Sequence, residues 1–421
     1  MTMKEVDLLV VGGGSAGMSA AVAACEGGVG SILIAERSAD LGGILRQCIH
    51  NGFGLRNFNA DLTGTEYAQR CADRVRRLGI PVLTNAFVIG LTRDRVATVV
   101  SPQNGLEKIR AKSVILAMGC RERSRGALLI PGQRPAGVLT AGTAQRYLNL
   151  EGYLPGRKIV ILGSGDIGLI MARQFVLEGA RVQEVVELRS FSGGLPRNIA
   201  QCLDDFQIPL SLNTTVVNIH GRSRVEGVTV AQVDASRRPV PDTERFIECD
   251  TLLISAGLIP ENELTRQAGI PLSPSTGGAL VDDCLMTQTD GIFSCGNVLH
   301  VHDLVDNVSD EAAAAGRNAA LYLSGRLPEA SRQSLVPVEA GKGITAVTPQ
   351  RLRRMGPSDR VILSFRSGDV HLNAKVTAKD GDHIVASRRY AVLVPGEMQN
   401  IAIPRSALSA AANRLILSLE V

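Results

Sequence analysis

Tryptophan is absent from the chain, and aromatic residues make up only 3% of its 421 positions. That scarcity excludes a surface built to stack nucleobases. Charge of one sign is also lacking, since 45 basic and 41 acidic residues leave a formal net charge of +4, too small to argue for nucleic acid. The arginine clusters Arg121, Arg123, Arg125 and Arg351, Arg353, Arg354 read as solvated faces. The eight cysteines, at 25, 48, 71, 120, 202, 249, 284 and 295, include no Cys-x-x-Cys pair and no Cys/His set at zinc spacing. Thiols in a reducing compartment fit that scatter better than a disulfide framework or a zinc site. No stretch reads as a membrane span. The most apolar early run, Leu8 to Cys25, follows Glu5 and Asp7 where a leader would be basic, and it contains glycine turns. It reads as strand, turn and helix of a cytoplasmic protein.

What the chain does contain is a Gly-x-Gly-x-x-Gly turn, twice. Gly12, Gly14 and Gly17 follow the apolar run Val6 to Val11, and Gly163, Gly165 and Gly168 follow Lys158 to Leu162. In each copy a helix is expected next, over Ser15 to Gly27 and over Asp166 to Gly179. Glycine is required because a pyrophosphate must approach the N–H groups of the helix start closely. An acid closes each following strand: Glu36 after Ser31 to Ala35, and Glu187 after Val182 to Val186, both 24 residues beyond the first glycine of their turn. A carboxylate there accepts hydrogen bonds from ribose hydroxyls and repels a 2′-phosphate, so Glu187 favours NAD(H) over NADP(H). The pattern predicts two bound dinucleotides.

The spacing of the remaining strands predicts that one nucleotide domain is inserted in the other. Lys112 to Ala117 ends in Met118-Gly119 and Thr251 to Ser255 ends in Ala256-Gly257, small residues that let the chain pass close to a cofactor. Gly291 to Cys295 is a further short strand, ending in Gly296-Asn297. Ser309 to Leu323 reads as a helix with Ser309 as N-cap and Asp310 and Glu311 in its first turn. Beyond Pro328, the runs Val361 to Phe365, Val370 to Val376, His383 to Ala386, Tyr390 to Val394 and Ile401 to Ile403 are short and β-rich. The expected fold is therefore α/β. It has two Rossmann-like dinucleotide-binding domains, residues 1–125 with 280–330 and residues 126–279, and a small all-β domain over residues 335–421.

These features together resemble the two-dinucleotide-binding flavoproteins, the superfamily that includes the pyridine nucleotide-disulfide oxidoreductases, over residues 1 to about 325. The resemblance implies FAD at the first turn and NAD(P)H at the second. It implies that Leu41-Gly42-Gly43 turns over the FAD pyrophosphate, that Val88 lies on the adenine side, and that Gly296-Asn297 takes the ribityl position usually held by Gly-Asp. It places further cofactor contacts at Ser15, Ala16, Arg37, Gln47, Ala117, Gly119 and Val308, and, for the nicotinamide dinucleotide, at Asp166, Ile167, Ala256 and Gly257. The run Gly42-Gly43-Ile44-Leu45-Arg46-Gln47-Cys48-Ile49-His50-Asn51-Gly52-Phe53-Gly54-Leu55, with Leu62 to Ala68, Gly193 to Asn198 and Pro395 to Met398, is similar to a narrower group. Those are FAD-dependent subunits that accompany a glycerol-3-phosphate-dehydrogenase-like flavoprotein and a small cysteine-rich protein. Opine and proline dehydrogenase subunits and hydrogen cyanide synthase are more distantly similar.

The implied activity is electron exchange between NAD(H) and FAD, while a second flavoprotein acts on the carbon substrate. A stand-alone NADH oxidase or diaphorase and a flavin-stabilised assembly module are the alternative readings. A dithiol disulfide reductase is disfavoured, because Cys48 has no second cysteine in its segment and Ile170 stands where such enzymes carry a glutamate. Cys48 and His50 are the candidate catalytic residues, weighed against a buried thiol and a structural imidazole. His300 and His302 would share one face of an extended segment, but with no third ligand at usable spacing no metal site is expected.

Overall fold

Strand, turn and helix succeed one another at the start of the chain because its side chains change there from aliphatic to small. Met3–Val11 is a strand whose last four residues are buried, and Ser15–Glu26 is a helix composed largely of small residues, alanine foremost. That thin helix face lets the helix Val305–Leu323 cross closely: a Cβ on Gly316 would lie 2.1 Å from the carbonyl oxygen of Ala20. The computed structural model describes residues 3–328, 335–408 and 413–420. Residues 329 and 330 of the expected 280–330 segment, residues 409–412 and Val421 of the expected 335–421 domain lie outside them.

Met3–Val11 pairs in parallel with Ile32–Ala35 on one side and Gly105–Leu116 on the other. Val82–Leu83 extends the sheet past Ile32–Ala35, and Ile292–Ser294 pairs with the end of Gly105–Leu116. The strand at 105–116 starts earlier than the apolar run at Lys112. Its charged first half pairs antiparallel with Val96–Ser101, which in turn pairs with Phe87–Leu91.

The chain divides into two compact units, one holding residues up to Arg46, Asn51–Cys120 and everything from Pro260, the other Gln47–His50 and Arg121–Ile259. The second break precedes the expected boundary at 279/280, because Leu264, Ala268, Ile270 and Ala279 are buried in the first unit's core. In the second unit, Val138–Thr140, Thr251–Ile254, Lys158–Leu162, Arg181–Val186 and Leu210–Ser211 form a parallel sheet in that order. An antiparallel sheet of Thr214–His220, Gly227–Gln232 and Arg245–Glu248 accompanies it.

The C-terminal layer is β, as its alternating pattern indicates. Arg351–Arg353, Leu335–Ala340, Leu415–Glu420, His371–Asp380 and His383–Leu393 form a mixed sheet, and Ile344–Thr348, Arg360–Ser367 and Gln399–Pro404 a second one. The two runs expected over 383–386 and 390–394 are one strand. Ser387, Arg388 and Arg389 continue it by pairing with Thr377, Val376 and Lys375. The fold is therefore α/β with two Rossmann-like regions and a C-terminal mixed sheet. Among the described residues, no helix is long and apolar enough to cross a membrane.

Two expectations are corrected here. The last long helix begins at Val305, a turn before Ser309, and Ser309 is an interior residue whose hydroxyl accepts from Tyr67 at 2.7 Å. A serine followed by acids satisfies the local rule for a cap, but the tertiary partner claims the hydroxyl. Arg353 is no solvated side chain either: it is 2% exposed and ion-paired at 2.7 Å with the buried carboxylate of Asp282. Beside it Arg405 pairs with Asp283, so two arginines tie the β layer to the rest of its unit.

Burial pushes the Asp282 carboxyl up to about 6, against the opposing pull of Arg353. A carboxyl raised in this way stabilises the fold below its unfolded value of about 3.9 and loses that contribution as pH rises towards 6. Arg353→Met leaves the carboxylate buried without its cation, so stability at pH 7 should fall by about 3–5 kcal/mol. The deficit should shrink at pH 5, where Asp282 takes up a proton. Denaturant unfolding of both proteins at the two pH values checks this; a deficit equal at both would refute the charge argument.

Candidate functional site

The first glycine turn is a cradle that any side chain would fill. Gly12 has φ +104°, and a Cβ there would sit 2.5 Å from the carbonyl oxygen of Ala117. Gly14 is the N-cap of the following helix and brings no side-chain cap, which leaves the N–H groups of Ser15, Ala16 and Gly17 without intrahelical acceptors. Such a helix start suits a pyrophosphate. Gly42 N–H donates to Gly13 O at 2.9 Å, and a Cβ on Gly43 would lie 3.1 Å from Gly14 Cα. A Cβ on Gly296 would lie 2.8 Å from Ala16 Cβ and 3.3 Å from Val308 Cγ1. Residues far apart in sequence thus gather around one turn, and the open glycine cradle fits an FAD.

Glu36 closes this arrangement. It is 5% exposed, and its Oε2 accepts from Gly13 N–H at 2.6 Å while Oε1 accepts from Ser38 N–H at 2.7 Å. Ala86 N–H donates to Glu36 O, and Val88 is buried two residues further on, whereas Arg37 beside Glu36 is exposed. Asn297 Oδ1 accepts from the backbone of His302 at 3.0 Å, and its Nδ2 lies 3.7 Å from the sulfur of Cys120, next to Gly119. Gln47 belongs to the second unit. Its amide donates to Gly142 O at 2.8 Å and to Gln145 Oε1 at 3.1 Å, within the second unit.

The second turn repeats the first. Gly163 has φ +102°, and a Cβ there would meet the carbonyl oxygen of Ser255, next to Ala256, at 2.2 Å. Gly165 is an N-cap without a side-chain bond, and a Cβ on Gly168 would lie 2.6 Å from Gly163 O. Glu187 Oε2 accepts from the N–H and hydroxyl of Ser164 at 2.9 and 2.7 Å, and Oε1 from Arg189 N–H at 3.0 Å. Ser164 escapes a reading by motif, although it occupies the position of Gly13. Asp166 accepts from Leu195 N–H and Asn198 Nδ2, at 2.8 and 2.6 Å; Ile167 is partly buried. Gly257 has φ +99° and its carbonyl accepts from Arg123 N–H.

Cys48 and His50 belong to the second unit. Burial pushes the Cys48 thiol up to about 12, which keeps it protonated at neutral pH. Burial also lowers the basicity of His50, helped by the charges of Arg197 and Arg173, so its imidazole is neutral. His300 and His302 are brought together with a residue that the sequence placed in a different role. Glu311 accepts from both imidazoles and from Gly296 N–H at 2.7 Å. The third donor that sequence spacing lacked lies across a loop, on the following helix.

The family model described as "Pyridine nucleotide-disulphide oxidoreductase" matches residues 6–319. "Hydrogen cyanide synthase subunit HcnB" of Pseudomonas aeruginosa is 28% identical over 358 residues, which cover 79% of this chain and 72% of that protein. A subunit of opine oxidase from Agrobacterium tumefaciens is 27% identical over 299 residues, 65% of this chain and 58% of its own length. The crystal structure of T. acidophilum thioredoxin reductase shares the fold at a TM-score of 0.61, with 24% identity, over 76% of this chain and 98% of its own. With well over half of its length matched, the chain belongs to the pyridine nucleotide-disulphide oxidoreductase family.

Proposed function

We propose that this chain is the FAD-bearing subunit of a multi-component dehydrogenase, exchanging electrons between NAD(H) and its flavin while a partner flavoprotein acts on the carbon substrate. A small cysteine-rich protein is the second partner in this reading. The observation that carries it is the duplicated turn: an open helix start, a glycine pressed on a crossing strand, and a buried carboxylate held by the turn's own N–H. Both relatives described above are named as subunits, which supports a partner for this chain as well.

In the first turn, Ser15, Ala16 and Gly17 would hold the FAD pyrophosphate by their N–H groups, with Glu36 at the ribose and Asn297 at the ribityl chain. An amide at 297 hydrogen-bonds a hydroxyl as a carboxylate does but brings no negative charge. In the second turn, Glu187 would hold the nicotinamide dinucleotide's ribose and select NAD(H). FAD and NAD(H), when bound, supply two-electron hydride chemistry, so the chain's residues need only fix distance and electrostatics. Cys48, protonated at neutral pH by burial, takes no part as a thiolate.

Anaerobic addition of NADH to the flavin-loaded protein should bleach the flavin absorbance; an unchanged spectrum would refute NADH as its electron donor. Glu187→Ala should weaken NADH by about 1.5–3 kcal/mol, roughly ten- to hundredfold in Kd, because a charge-assisted hydrogen bond is lost. NADPH should weaken less, since its repulsion is removed too, and equal losses measured for both coenzymes would show that Glu187 does not select. For Cys48, alkylation by iodoacetamide at pH 8 should be slow in the folded protein, and Cys48→Ser should reduce its flavin with NADH at an unchanged rate. Loss of flavin reduction in that variant would restore the thiol to the mechanism.

A further inference from the structure

The loop between the strand Ile292–Ser294 and the helix Val305–Leu323 carries two histidines, and the helix returns a carboxylate between them. His300 Nε2 lies 2.6 Å from Glu311 Oε2, and His302 Nε2 lies 3.2 Å from Glu311 Oε1. The imidazole centroids are 4.3 Å apart, and one ligand atom from each of the three residues falls within 4.8 Å of the other two. The histidine side chains are 8% and 2% exposed and the glutamate side chain 14%.

We propose that His300, His302 and Glu311 bind a divalent transition cation of the zinc class, with a water or small ligand completing its coordination. Imidazole and carboxylate are donors that such cations favour. Bonds of about 2.0–2.2 Å in a tetrahedron put neighbouring ligand atoms roughly 3.4 Å apart. The imidazole Nε2 atoms lie 2.6 and 3.2 Å from different oxygens of Glu311, and one ligand atom from each residue lies within 4.8 Å of the other two, so small side-chain rotations bring the three onto one cation.

The surroundings orient the ligands. Gly296 N–H donates to Glu311 Oε1, and His302 N–H donates to Asn297 Oδ1. Arg366, from the C-terminal β layer, donates to Val301 O at 2.9 Å and to Asp303 Oδ1 at 2.7 Å, while Met398 N–H donates to the other oxygen of Asp303 at 2.8 Å. These bonds hold Val301 by its carbonyl and Asp303 by its side chain, the two neighbours of His302 in the loop. Outer partners of this kind hold metal ligands in place.

The test uses the whole flavin-loaded protein, stripped of metal with a chelator, desalted, and titrated with Co2+ as the probe. About one equivalent should remain after gel filtration, with ligand-field absorption at longer wavelengths than the flavin. Glu311→Gln and His302→Gln should each raise the Co2+ Kd by at least about 10–100-fold, the size of effect that losing even an outer partner produces. Flavin content and thermal midpoint, measured alongside, report whether the variants fold. The wild-type titration decides by itself: failure to retain the cation with flavin content intact overturns the proposal. Equal retention by folded variants overturns it too. Neither result bears on NADH reduction of the flavin, so the two readings fail separately.

Discussion

A buried carboxylate that accepts the N–H of the residue between two glycines is the interaction that organises the rest of this molecule. Glu36 does so for Gly13 and Glu187 for Ser164. Each acid joins the end of the second strand to the turn after the first strand, which fixes how far the turn opens. The first glycine of the turn then presses on the end of a third strand, at Ala117 or at Ser255, with no room for a Cβ. Three strands and one helix start are thereby locked around a surface made only of backbone. Charge-assisted bonds to backbone N–H groups are strong, and here they are shielded from water.

The first unit adds a second constraint beside its glycine turn. Gly296 sits against Ala16, and its N–H is held by Glu311. Glu311 in turn holds the two histidines, and the histidine loop is held by Arg366 of the β layer. The β layer therefore bears on this arrangement by holding the histidine loop. Its attachment through Arg353 and Arg405 to Asp282 and Asp283 uses buried charge, whose desolvation is offset only when both partners are present.

Much of the fold was legible in the sequence because its main signals are local. Aliphatic runs ending in Gly-x-Gly-x-x-Gly locate strand, turn and helix within three residues, closely at Lys158–Leu162 and Asp166–Leu177, less so at Met3–Val11, which starts before the expected Val6. The acids at 36 and 187 were legible because their spacing from the turn is set by one helix and one strand. Ser309 misled because a capping signal describes a residue and its next three neighbours, and Tyr67 is remote in sequence. Arg353 misled because a charged residue in a basic run normally faces water, and only its partner's location reveals burial. Gln47 lies within the motif-bearing run, yet its amide is engaged by Gly142 and Gln145, almost a hundred positions away.

Residue size, periodicity and short-range spacing were enough to specify the two glycine turns, the acids that accept their N–H groups, the two Rossmann-like regions, and the β character of the C-terminal layer. It took the packed molecule to establish that Glu311 stands between His300 and His302, that Ser164 anchors Glu187, and that the β layer grips the histidine loop. Those contacts join side chains whose separation along the chain carries no period, so their meeting is set by how the packed layers bring distant segments together.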